Sequence, residues 1–157
     1  MASWAEFEHA APELAHAIVR RFGAHKHALI ATVRRDGAPR ISGIETTFRN
    51  GELWLAMMPD SRKADDLARD PRFALHSAPL ELDLVDGDAK VNGCARAVRD
   101  QAELERFVAA LEHEMDPNEV GLFRAEVTDA SLTRVENDWL VIDSWREGQE
   151  PRQRRRK

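Results

Sequence analysis

A mainly β fold is what the sequence predicts: six to eight short antiparallel strands closed into a small barrel, with helices at its periphery. Three observations carry this. Asp36-Gly37 and Asn50-Gly51 each separate β-rich runs, and such dipeptides accept the positive φ angles of tight hairpin turns. Helical periodicity is confined to three separate stretches. The chain has 157 residues, enough for one domain with one core. A hairpin ribbon is not stable alone, so the strands must close around that core.

Pro12 opens the first helical pattern, Leu14, Ala17, Ile18, Arg21 and Phe22 continue it, and Gly23 ends it. Strand one follows at His27–Val33. Asp36-Gly37 turns the chain into strand two, about Pro39–Phe48, and Asn50-Gly51 turns it into strand three, Glu52–Met58. Ser61 is a good N-cap for a short helix over Lys63–Arg69, which Pro71 stops. Arg72–Ser77 reads as strand four, Leu80–Gly87 as a loop or irregular edge, and Ala89–Val98 as strand five, where Gly93 marks a bulge or close backbone approach. Asp100 caps a third helix from Gln101 to roughly His113, with Leu104, Phe107, Val108 and Leu111 on one face. Val120–Val127 is strand six, and Leu132–Val135 with Trp139–Ser144 form a final hairpin around Asn137-Asp138. Residues 1–150 thus form one domain, and 151–157 a basic C-terminal tail.

Composition removes several function classes. Hydrophobic residues make up 43% and the charges are mixed, the profile of a soluble globular chain. No apolar run reaches the ~20 residues needed to span a bilayer. Met1 to Glu8 carries acids and lacks a basic region followed by an apolar stretch, so a cytoplasmic protein without a membrane partner is expected. Cys94 is the single cysteine, which excludes an intrachain disulfide and a thiolate metal cluster. The net charge of −5 argues against general affinity for nucleic acid. Arg152-Gln153-Arg154-Arg155-Arg156-Lys157 is the exception; such a run is ordinarily a solvated, mobile end.

Familiar catalytic signatures are missing. There is no Gly-rich phosphate loop, no His-x-x-x-His and no Cys-x-x-Cys. His25 and His27 have nothing nearby to complete a metal site, His76 lies mid-strand, and Cys94 has no base beside it in sequence. What remains is Pro59-Asp60-Ser61-Arg62-Lys63. Here a strand ends, the chain turns, and a helix begins with a hydroxyl cap and two cations. Free N–H groups and the helix dipole favour an anion there. Arg62 can fork two hydrogen bonds to a phosphate and Lys63 adds a mobile charge; taken alone, the same residues at a helix start also read as ordinary surface charge.

Several stretches together resemble the pyridoxamine 5′-phosphate oxidase-like superfamily of flavin-binding split β-barrels. They are residues 28–42, Asn50–Leu55, Ser61–Arg72, and Val91-Asn-Gly-Cys-Ala-Arg-Ala97. The resemblance implies a split barrel in which Ser61, Arg62 and Lys63 hold a cofactor phosphate. It sets Arg40, Ile41, Ser42 and Gly43 along the cofactor ring, with Met57 and Met58 at the ring or its tail. Trp145 and the closing arginines faintly resemble a segment that reaches a partner subunit's cofactor. A homodimer with cofactor at the interface is implied, and Phe48, Trp54, Trp139 and Trp145 are candidates for interface, pocket or core.

The implied cofactor is flavin mononucleotide (FMN), with the deazaflavin coenzyme F420 as alternative. F420 carries an acidic glutamyl tail, for which Arg20, Arg21, Lys26 and Lys90 are candidate partners. The implied activity is hydride transfer to or from a small substrate. A non-catalytic protein binding or sequestering flavin, deazaflavin or haem is the other reading. Two positions depart from the family. Glu45 stands where it has a lysine, and Met57 where it has a polar contact. Both argue against pyridoxamine 5′-phosphate oxidase activity itself.

Overall fold

A computed structural model describes residues 1–78, 84–112 and 114–157. The first helices are α1 (Trp4–Ala10) and α2 (Pro12–Gly23). Strands β1 (Ala28–Val33), β2 (Pro39–Arg49) and β3 (Glu52–Met57) form the expected meander. After α3 (Arg62–Arg69) come β4 (Arg72–His76), β5 (Asp88–Ala97), α4 (Gln101–Ala109) and a 3-10 turn at Pro117–Glu119. The chain ends in β6 (Gly121–Glu136), β7 (Trp139–Arg146) and β8 (Arg152–Arg156). Half of the expected 80–87 loop (residues 80–83), and the expected helix limit at His113, lie outside the described residues; α4 itself runs only to Ala109.

All pairings are antiparallel, in the order β3-β2-β1-β4-β5-β6-β7-β8. The first half of β6 also pairs with β3, from Leu53↔Ala125 to Met57↔Gly121. That second pairing closes a six-stranded barrel, and β7 and β8 extend beyond it. The turns follow their sequence: Asn50 and Gly51 have φ of 54° and 73°, and Asn137 and Asp138 have 49° and 63°, the geometry of tight reversals.

The expected sixth strand and the first strand of the final hairpin are one 16-residue strand. The register passes from Asn92↔Asp129 to Gly93↔Val127, leaving Thr128 as the extra residue of a bulge. Its Oγ1 donates to the Asn92 carbonyl at 3.1 Å. A bulge bends its strand, so β6 closes the barrel with one half and builds the extension with the other. Gly93 is the bulge's close approach: a Cβ there would collide with the Glu126 carbonyl oxygen and lie 2.9 Å from its carbon.

The core runs from the barrel interior (Ile30, Leu53, Leu55, Leu75, Val91, Val127) to an aromatic cap under α1 and α2. There Phe7 meets Trp4 at 5.0 Å and Trp145 at 4.8 Å, and Phe48 meets Trp4 and Phe22. The α1 helix was not expected. A capping box starts it, with the Ser3 hydroxyl accepting from Glu6 N–H and the Glu6 carboxylate accepting from Ser3 N–H. A second cluster packs α4 on β3 through Trp54, Phe107 and Val108. The basic tail differs from the expected mobile end. It pairs with β7 as β8, where Gln153 donates to Asp143 and Arg155 reaches Glu136. Arginines along an outer edge discourage further strand pairing.

Candidate functional site

The strand–turn–helix junction after β3 has the expected form. Ser61 is the N-cap of α3, and its Oγ accepts from Ala64 N–H. The Asp65 N–H goes to the Ser61 carbonyl. Of the four N–H groups a helix start leaves without intrahelical partners, those of Arg62 and Lys63 have no backbone acceptor among the described residues. Neither side chain has an ion pair there either. Two free N–H groups and two cations without ion pairs therefore stand in the first turn of an eight-residue helix, at its positive end, which favours a phosphate or similar anion.

Strand β2 presents two faces. Its register pairs Arg40 with Thr32, Ile41 with Ala31, Ser42 with Ile30 and Gly43 with Leu29. Arg40 and Ser42 lie on the face of buried Thr32 and Ile30. Ile41, Gly43 and Glu45 lie on the outer face. Ile41 is 72% exposed, and a Cβ at Gly43 would meet nothing within 4 Å. This outer surface is open at both positions. The four β2 positions expected to share one ring contact are thus divided between two faces, as strand alternation requires.

Arg40 is already engaged. Its Nε donates to Asp66 Oδ2 at 2.7 Å, which also accepts from Thr32 Oγ1 at 2.9 Å. Arg69 donates to Asp66 Oδ1 at 3.2 Å. The Asp66 side chain is 4% exposed. Burial alone would raise its carboxyl pKa, but the hydrogen bonds from Arg40, Thr32 and Arg69 outweigh it and hold the group below the usual 3.8. Asp66 thus ties α3 to β1 and β2 and fixes the turn that displays Arg62. A groove of about 940 Å³ runs here, lined by Arg34, Arg35, Arg40, Arg62 and Arg69 with Asp36, Asp65 and Asp66. No ion pair engages Arg35 or Arg62 among the described residues.

Two of the expected contact residues are buried. Met57 turns into the core, leaving Met58, at 68% exposure, on the surface beside the turn. Trp145 is 5% exposed and packs on Phe7, so its ring is a core element. The four candidate partners of an acidic tail are separated too. Arg20 and Arg21 end α2, Lys26 faces Glu45 at 3.4 Å, and Lys90 binds Asp88 at 2.9 Å. His27 also faces Glu45, at 3.5 Å. His76 is held between the Ser77 carbonyl (2.6 Å) and Asp88 (2.9 Å). Among the described residues, no group of His, Cys, Asp or Glu could hold a metal ion. No helix among the described residues is long and apolar enough to cross a membrane.

Sequence reasoning missed the Asp66 hub and the groove arginines 34, 35 and 69. The signal available was Asp66 on the inward face of a helix otherwise carrying charge outward.

Residues 14–137 match the sequence profile of the family described as pyridoxamine 5′-phosphate oxidase. No curated protein matches the chain. Among solved structures, a pyridoxamine 5′-phosphate oxidase-related, FMN binding protein from Nostoc punctiforme superposes with a TM-score of 0.66 at 14% identity, covering 94% of this chain and 96% of its own. PhzG from Burkholderia lata, in complex with tetrahydrophenazine-1-carboxylic acid, gives 0.66 at 14% identity, covering 91% and 87%. A structure described as an F420 reductase gives 0.52 at 18% identity, covering 67% and 88%. At these identities the likeness is one of fold.

Proposed function

Because the chain belongs to the pyridoxamine 5′-phosphate oxidase family, we propose that it binds a phosphorylated flavin, FMN, and serves as an oxidoreductase acting on a small molecule. The observation that carries this reading is the junction at Ser61-Arg62-Lys63. It offers two unpaired cations and two free N–H groups to an anion, next to a strand whose outer face is open at Ile41 and Gly43. The residues fit the cofactor in these two respects. Lys63 and Arg62 would hold the phosphate, the Ser61 hydroxyl can donate to it, and the outer face of β2 would lie along the ring. When bound, the flavin supplies hydride transfer at its ring.

The chain's own residues shape what reaches that ring. Glu45 lies on the outer face of β2, with Lys26 and His27 beside it. An acid at that position repels a phosphate-bearing substrate, which argues against pyridoxamine 5′-phosphate as the natural one. The apolar strip of exposed Ile41 and Leu29 with half-buried Ala31 between them supports a homodimer, since a second copy would bury it and exclude water from the ring.

A second reading, F420 in place of FMN, is favoured by the groove beside Arg62, where five arginines face three aspartates. That excess suits an acidic tail. Titration of the purified protein with FMN and with F420 tests both. Binding of either, weakened at least tenfold in Lys63→Ala, is expected for a lost charged hydrogen bond of ~1.5–3 kcal/mol. A protein that binds neither overturns the proposal. Cofactor binding with no reduction by nicotinamide or quinol donors would leave a carrier in place of an enzyme.

A further inference from the structure

A second cavity, of about 870 Å³, opens where the α1–α2 junction faces β6, β7 and β8. It shares no lining residue with the groove at Arg62. Its size falls within the ~300–1,000 Å³ of small-molecule sites. Its lining includes apolar Ala11, Leu14, Ala17, Leu132 and Pro151 together with Arg20, Arg21, Arg134 and Arg152.

Arg21 is the unusual member. It is 5% exposed, yet its protein partners are neutral. Its Nε donates to the Gly87 carbonyl at 2.6 Å and its Nη2 to the Ala78 carbonyl at 3.2 Å. No carboxylate pairs with it among the described residues, and its Nη1 has no protein acceptor there. A buried cation without a counter-ion is costly, and this one lines the cavity. Arg20 and Arg152 also lack ion pairs among the described residues. The acids on the rim are Glu13, Asp86 and Asp143. Asp143 is spent on Arg134 and Gln153, so three unpaired arginines face two unpaired acids.

From this we infer that the cavity between α2 and the β7–β8 extension is a second ligand site, for a small organic carboxylate. The apolar lining residues take the hydrocarbon body. Arg21 Nη1 receives the carboxylate, and Arg20 and Arg152 close over it. A guanidinium pairs with a carboxylate through parallel N–H donors, which separates this ligand from a neutral molecule of the same shape.

Benzoate and its neutral isostere benzamide are the probes, titrated into the full-length protein and followed by backbone NMR. Benzoate is expected to bind at least about tenfold more tightly than benzamide, the scale of one charge-assisted hydrogen bond. Its shifts should centre on Leu14, Ala17, Leu132 and Ser144. Arg21 is buried and is left intact; the surface pair Arg20→Ala and Arg152→Ala should together weaken benzoate at least about fivefold while FMN affinity stays unchanged. Equal affinity for the two probes overturns the inference. So do shifts centred on β2 and α3, or undiminished benzoate binding in the double variant.

Discussion

Replacing Asp66 by Asn tests whether this carboxylate is the hub that holds α3 against the barrel. The substitution keeps the shape and removes the charge. Wild-type Asp66 accepts from Arg40 at 2.7 Å, Thr32 at 2.9 Å and Arg69 at 3.2 Å. Breaking a buried ion pair from one side costs about 3–5 kcal/mol. Arg40 and Arg69 are 28% and 35% exposed, so water recovers part of that and about 2–3 kcal/mol remains. For a chain of this size each kcal/mol moves Tm by about 2–4 °C, a fall of about 5–10 °C in all. Acid supplies the second half of the test. The folded-state pKa of Asp66 lies below 3.8, so its contribution is complete above that value and is lost as pH falls through the folded one. Urea unfolding of both proteins from pH 7 downward should show the gap closing below about pH 4. A midpoint within about 2 °C of wild type at pH 7, or a gap that persists in acid, would refute the assignment.

Three further outcomes follow from the fold. Gly93→Ala drives a methyl group into the Glu126 carbonyl and should cost about 3 kcal/mol or more; equilibrium denaturation measures it. Phe7→Ala empties the centre of the Trp4–Phe7–Trp145 cap and should cost about 3–5 kcal/mol, measured the same way. Ile41→Asp places a charge on the exposed β2 face, so the homodimer proposed above should dissociate to monomer in sedimentation velocity. An unchanged oligomer would place the interface elsewhere.

Local chemistry made much of this fold legible. Asn50-Gly51 turned where its sequence required, and the hydroxyl of Ser61 and the carboxylate of Asp100 capped their helices. What stayed hidden depended on distant partners. Thr128-Asp129 reads as a break in apolar alternation, but it is a bulge imposed by pairing with Asn92. Strand β8 has no alternation at all. It forms because Gly148, at φ 73°, turns the chain back along β7. In α1, seven residues are too few for periodicity to register. The candidate site divides the same way. The anion turn could be read from five consecutive residues, whereas Arg40 was assigned without its partner, because Asp66 lies 26 residues away. Trp145 and Met57 were drawn into the core by packing that spacing does not encode.

Comparing FMN with riboflavin, which differ only in the phosphate, tests directly whether Arg62 and Lys63 hold that group. Fluorescence titration of the wild type should show FMN bound at least about tenfold more tightly than riboflavin. In Lys63→Ala the difference should collapse through loss of FMN affinity, with riboflavin unchanged. Equal affinities in the wild type, or an FMN preference that survives in Lys63→Ala and in Arg62→Ala, would contradict that assignment.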